Sequence, residues 1–235
     1  MTAITRRVAN VAAVIVLVMG LAACGDSEPD QRKAFIEFLQ TRVLDKPGSR
    51  VPRLTAEDTG KFGPYAEHYA LIPAFNDEMT KAMAGASKIT QTAAPSSLQE
   101  LVNRRDEVKA LVAAMSDTAV QTRKTLAETD AKRAALKQPD DLKAVYAKAY
   151  ERTVTAPAQA FLDTIPLAMD GLLASVQLAD YLDTHRTGVK IAGANIQSSD
   201  NKTRNEIGQL LAAVKAKNDK LNEARKRLRQ VTEGN

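Results

Sequence analysis

The sequence is short of the residues that most often do chemistry. Its 235 residues hold one cysteine, two histidines and no tryptophan, and aromatic residues make up only 4%. A single cysteine cannot close a disulfide within the chain, so the fold must hold by packing alone. His68 and His185 are far apart in sequence, and no HExxH, CxxC, phosphate-cradling glycine loop or EF-hand spacing accompanies them. No catalytic residue, metal ligand or cofactor is therefore expected. Glu67 and His68 sit side by side on a helical stretch, where adjacent side chains point apart and do not converge on an ion. The scarcity of aromatics also argues against a pocket for sugars or flat ligands. One near-motif is a decoy. Ser199-Asp200-Asn201-Lys202 matches both S-x-x-K and S-D-N, and Arg186-Thr187-Gly188 approaches K-T-G. In the penicillin-binding pattern the two serines are separate residues and the third motif comes last. Here one serine would serve twice and the third motif comes first. Helix capping accounts for the same residues, and the chain reads as a non-enzyme.

What is present begins at the N-terminus. Arg6 and Arg7 precede an apolar run from Val8 to Leu21, interrupted only by Asn10 and Gly20. The run suits the h-region of an export signal and is shorter than the ~20 apolar residues a membrane-spanning helix needs. Leu21-Ala22-Ala23-Cys24 follows, and it resembles the lipobox of bacterial lipoproteins. That resemblance implies cleavage before Cys24 and acylation of Cys24, making residues 1–23 a signal peptide and 24–28 a tether. It also implies anchorage in a membrane facing the periplasm. The residue after the cysteine is Gly25, with Asp26 one further on, which favours the outer over the inner membrane. Loss of Arg6 and Arg7 lowers the formal net charge of +5 by two. So mild a charge, on an exported chain, does not call for nucleic acid.

The remainder, 29–235, reads as one helical domain. Ser27 and Pro29 open a helix expected to end near Leu44. Its apolar face of Phe35, Ile36, Phe38, Leu39 and Val43 can lie on a membrane or pack into the domain, and packing is favoured. Lys46-Pro47-Gly48-Ser49 breaks the chain. Thr55, followed by acidic residues, caps a helix running to about Ser87, divided at Gly63-Pro64 and kinked by Pro73. From Ser97 to near Gln138 the spacing predicts the longest helix, about 60 Å of it. Two seams step by seven: Leu101, Val108, Met115, Thr122, Thr129 and Leu136, and Leu98, Arg105, Val112, Ala119, Leu126 and Arg133. Their polar members predict packing inside the chain, not self-dimerisation. Another helical region runs from Asp140 to near His185, with Pro157 and Pro166 expected to interrupt or kink it. Val189 to Gln197 reads as a β-hairpin. Ser199 or Asp200 caps a last helix with seams Ile207, Val214, Leu221, Leu228 and Leu210, Lys217, Ala224, Val231. The expected architecture is all-α: an elongated antiparallel helical bundle with coiled-coil-like long helices and one small hairpin near 189–197.

Four stretches carry a family resemblance: QRKAFIEFLQTRV from Gln31, LTAEDTGKFGPYAEHYALI from Leu54, LKQPDDLKAVYAKAYERTVTAPA from Leu136, and VKIAGANIQ from Val189. Together they resemble the proteobacterial lipoprotein family classed as domain of unknown function 3053. The resemblance implies a lipoprotein and brings no activity, substrate or site residues.

The expected function is that of a membrane-anchored, non-enzymatic interaction module of the cell envelope. Its expected partners are the membrane through the anchor and an envelope protein or anionic envelope polymer. Arg225, Lys226, Arg227 and Arg229 on the last helix are the candidate contacts for an anionic surface, although a solvated helix end accounts for the same cations. The alternative is a bundle that binds a small ligand or lipid in an apolar pocket near Pro157 and Pro166. A cell-wall hydrolase would need a site the sequence does not display.

Overall fold

The computed structural model describes residues 27–192 and 195–234. The expected signal peptide, the expected lipidation site at Cys24 and the first residues of the expected tether lie outside them.

Helix α1 (Glu28–Phe38) opens with Pro29 in its first turn, where a missing N–H costs nothing. It begins one residue before the expected boundary. Ser27 does not cap it through a backbone N–H; its hydroxyl donates to the Asp30 carboxylate. The helix widens into a π-turn over Leu39–Leu44, closed by an Asp45 N–H donating to the Gln40 carbonyl at 2.8 Å, and ends at the expected place. Its apolar face is buried: Phe35, Phe38, Leu39 and Val43 are all inside the domain.

Helix α2 (Ala56–Phe62) starts from a complete capping box. The Asp58 N–H donates to Thr55 Oγ1 at 3.1 Å, and the Thr55 N–H donates to the Asp58 carboxylate at 2.9 Å. Gly63, at φ +52°, turns the chain into α3 (Tyr65–Ala93), as expected from Gly63-Pro64. Helix α3 continues past Pro73 and runs beyond Ser87 to Ala93.

The long rod expected from Ser97 to Gln138 is divided. Ser97 caps α4 (Leu98–Asn103), and Arg104, at φ −106°, bends the chain into α5 (Arg105–Ala134). Arg104 is held by three partners in different directions: Glu100, Glu107 and the Thr92 carbonyl at the end of α3. That fork turns α4 toward α3. The seven-residue seam survives the bend. Leu101, Val108, Met115, Thr122 and Thr129 are all buried. The seam threonines donate to carbonyls four residues back, which lets a hydroxyl sit in a dry seam. Charged seam positions are paired. Arg105 reaches Asp180 and Asp183, each at 3.1 Å, and the Arg133 guanidinium lies 4.5 Å from the Tyr150 ring centre.

Helix α6 (Asp140–Tyr150), a π-turn (Glu151–Thr155) and α7 (Ala156–Thr184) form one continuous helical run, so neither Pro157 nor Pro166 interrupts it. Proline clashes with the carbonyl four residues earlier in a regular α-helix. The wide turn immediately before Pro157 relieves that clash, and Pro166 is accepted on an exposed edge of α7. Helix α7 is the central rod, packed against α3, α4, α5 and α8.

Strands β1 (Val189–Ala192) and β2 (Asn195–Ser198) pair antiparallel, with Val189 opposite Ser198 and Ala192 opposite Asn195. The hairpin is as expected, and its two loop residues lie outside the described ones. It leans on the bundle through Val189, buried with Leu101, Leu178, Leu182 and Ile207. Asp200 caps α8 (Asn201–Glu233), which at 33 residues is the longest α-helix described, whereas the spacing predicts that place for the 97–138 stretch. Seam residue Lys217 pairs with Asp170 of α7.

The core has two clusters. One gathers the aromatic residues Phe35, Phe38, Phe62, Tyr65, Tyr69, Tyr146 and Tyr150 around α1 and continues between the long helices to Met115, Ala168 and Leu221. The other lies under the hairpin and is aliphatic.

One turn fastens the chain ends of the fold. Gly48 is buried at φ +69°, and Ser49 N–H donates to the Thr232 carbonyl at 3.1 Å. Arg152 holds the same turn from the π-turn, donating from Nε to the Gly48 carbonyl at 2.8 Å and also to the Lys46 carbonyl. A Cβ at position 48 would stand 2.7 Å from the Glu233 carbonyl carbon, against backbone that cannot yield cheaply. Gly48→Ala is expected to cost about 1–3 kcal/mol from left-handed strain and this clash. Hydrogen exchange should rise over the last turns of α8 and stay unchanged around Leu178. Unchanged protection near Thr232 would show that the turn does not hold α8.

Candidate functional site

The predicted contact residues lie on the last third of α8. Successive residues on a helix are about 100° apart, so Arg225, Lys226 and Arg227 point in three directions, and the neighbours on a face are the pairs about one turn apart, Arg225 with Arg229 and Lys226 with Arg229. The structure does not bring the four cations onto one surface. Lys226, Arg227 and Arg229 are exposed, and Arg227 borders a shallow depression that also contains Asp219 and Glu223. Arg225 is half-buried and lines a part-open cavity between α3, α5, α7 and α8.

That cavity has a volume of about 430 Å³. Met83, Ala86, Met115, Phe161, Ile165 and Leu228 supply apolar lining. Its hydroxyl-bearing residues are largely committed elsewhere. Thr90 donates to the Ala86 and Ser87 carbonyls, at 3.2 and 2.9 Å, and Thr164 donates to the Ala160 carbonyl at 2.8 Å. Both donors are spent on their own helices. Gln91 donates to the Ser87 hydroxyl at 3.1 Å. A second groove of about 410 Å³ runs between α3 and α5, lined by Phe75, Met79, Ala82, Thr118, Thr122 and Thr125, with Glu78, Lys81 and Asp117 among its residues.

The histidines stand at opposite ends of the bundle. His68 Nδ1 is 3.3 Å from Gln138 Nε2, and its backbone carbonyl accepts from Tyr146. Burial holds its imidazole below the usual histidine range, with Glu67 partly opposing. His185 stacks on Tyr181, ring centres 4.0 Å apart. Among the described residues no group of three or more His, Cys, Asp or Glu side chains could hold a metal ion. Asp200 of the penicillin-binding decoy spends its carboxylate on the Lys202 and Thr203 N–H groups, as a cap. Tyr65 is pushed up to about 12 by burial and by its hydrogen bond to Glu28, so it is a neutral donor in the fold.

The pocket expected near Pro157 and Pro166 corresponds to an open groove of about 530 Å³ lined by Pro166, Leu126, Leu162 and Leu167, and Pro157 does not line it; the cavity of Met83, Met115 and Arg225 was not anticipated. The usable signal was the absence of a carboxylate three or four residues from Arg225 on either side. Its neighbours there are Leu221, Asn222, Leu228 and Arg229.

The sequence profile of the family described as "Protein of unknown function (DUF3053)" matches residues 12–229. The chain is 32% identical over 214 residues to the "Uncharacterized protein YiaF" of Escherichia coli strain K12, covering 90% of each chain. The proteins of the same description from Escherichia coli O157:H7 and Shigella flexneri match with the same identity and coverage. No solved structure matches the chain.

Proposed function

We propose, for a chain that belongs to the DUF3053 family of proteins of unknown function, a non-enzymatic role at the cell envelope. In this reading a lipid anchor at Cys24 holds one end of the bundle to a membrane facing the periplasm, the outer membrane being favoured. The far end then meets another envelope component.

The observation that carries the reading is the position of the first described residues. Glu28 accepts from the Tyr65 hydroxyl at the start of α3, and Arg32 lies 3.5 Å from Asp141 at the start of α6. The chain therefore enters the bundle where Asp140 stands, and the hairpin lies beyond Thr184. The helical run between them is 45 residues, on the order of 65 Å at 1.5 Å per residue. A tether of a few residues at one end and a small hairpin at the other suit a module that reaches away from a membrane. This same run is long and apolar enough, by composition, to cross a membrane. Half of its most apolar window is buried inside the bundle, which supports its reading as the core helix.

A photo-crosslinking residue at Lys190 on the hairpin, in the full chain in cells, tests the proposal against the same residue at Lys124 in mid-rod. A discrete envelope-protein or cell-wall adduct confined to position 190 is the expected result. Identical, diffuse adducts from both positions would overturn it.

A further inference from the structure

The cavity behind Arg225 has a chemistry that an envelope contact at the tip does not use. Cations at the other seam and core positions have partners: Arg105 has two carboxylates, Lys217 has Asp170, Arg133 has the face of Tyr150, and Arg152 has two carbonyls. Arg225 has no ion pair or hydrogen bond among the described residues, no carboxylate lines its cavity, and its neighbour one turn on is Arg229. A guanidinium that reaches water beside apolar surface, with no carboxylate partner, is free to take an anion.

The rest of the lining narrows the ligand. Met83 and Met115 are flexible and polarizable, and they fit chains of varied shape. The threonine donors are spent on their own helices, and Ser87 and Gln91, bonded to each other, are the polar groups left beside Arg225, few to orient a sugar or a nucleotide. The volume lies in the lower half of the usual range for ligand pockets, roughly 300–1,000 Å³. The guanidinium fork matches a carboxylate in a two-point, charge-assisted contact.

We propose that this cavity binds a fatty acid, with the acyl chain against Met83, Met115, Phe161 and Leu228 and the carboxylate on Arg225. The chain supplies affinity through methylene burial, and the arginine selects the ionised headgroup. The site stands on residues of α3, α5, α7 and α8 alone and does not depend on how the chain is anchored.

The test uses the full chain in vesicles of neutral phosphatidylcholine, with a sixteen-carbon diazirine fatty acid as probe. Adducts are expected on peptides carrying Met115 or Phe161. Excess palmitate should suppress them and hexadecanol should not. Arg225→Ala should lower labelling about tenfold, as loss of a charge-assisted contact does, whereas Arg227→Ala should leave it unchanged. Thermal unfolding of each variant checks folding. If Arg225→Ala unfolds, Arg225→Lys and the hexadecanol competition decide the matter. Adducts scattered over the surface, equal suppression by hexadecanol, or labelling indifferent to a folded Arg225→Ala would each overturn the proposal.

Discussion

If Cys24 carries the proposed lipid anchor, cells carrying Cys24→Ala are expected to lose more than about nine-tenths of the membrane-bound protein, because nothing replaces the acyl chains. Each buried methylene contributes about 0.8 kcal/mol, so one chain holds marginally and two or more hold stably. Native protein should fractionate with membranes and show an intact mass for a mature chain beginning at acylated Cys24. The alanine variant has a second property that makes the result clean. With Ala22 and Ala23 already in place, the substitution completes an A-x-A pattern just before Gly25, which a general signal peptidase can cut. The apolar run from Val8 to Leu21 is then removed and cannot act as a substitute anchor. The variant should appear in the soluble periplasmic fraction with Gly25 at its N-terminus. Native protein that is soluble and unacylated would remove the basis of the anchored reading. A variant that starts at Gly25 and still sediments with membranes would move attention to the apolar run within Asp140–Thr184 as a membrane contact.

Features set by a repeating pattern were legible in the sequence. The seven-residue seam from Leu101 to Thr129 is buried at each of its steps, even across the bend at Arg104. Thr55 caps its helix as expected, and of the two candidates Ser199 and Asp200 it is Asp200 that caps α8, whereas Ser27 makes no side-chain bond to a backbone N–H of α1. The hairpin was visible because a short alternating stretch interrupted helical spacing. What was not legible depends on hydrogen-bond partners and side-chain directions that hydrophobic spacing does not encode. Arg104 divides a helix because Thr92, twelve residues earlier, offers a carbonyl. Pro157 fails to interrupt because a π-turn forms just before it, and hydrophobic spacing does not encode hydrogen-bond register. The turn at Gly48 and the end of α8 meet across 183 residues. The candidate site follows the same rule. Four cations close together in sequence read as one surface, yet helical geometry sets Arg225 at the edge of a cavity and spreads the others over the solvent side. Family membership was also readable, from phrases spread over the chain, and the profile match over residues 12–229 agrees with it.

Tyr146→Ala should be among the most destabilising single substitutions in the domain, at about 4 kcal/mol, because it removes a whole aromatic ring from the larger core cluster. Tyr146 is 1% exposed. Its ring lies among Phe35 of α1 and Tyr150 of α6, with centres 6.4 and 6.3 Å away, and its hydroxyl donates to the His68 carbonyl of α3 at 2.7 Å. It therefore joins α1, α3 and α6 at one point, and α1 is the element through which any force from an N-terminal anchor must enter the fold. Tyr146→Phe separates the two contributions. It keeps the ring and removes only the hydrogen bond, leaving the His68 carbonyl without that donor, for about 1–2 kcal/mol. For a domain of this size each kcal/mol shifts the unfolding midpoint by about 2–4 °C, so alanine should lower it by roughly 8–16 °C and phenylalanine by roughly 2–8 °C. Thermal unfolding followed by circular dichroism measures both. Equal losses would assign the stability to the hydroxyl and not the ring. A small loss for alanine would mean that Phe35 and Tyr150 close over the gap, and that α1 is held to the bundle mainly by Phe38 and Leu39.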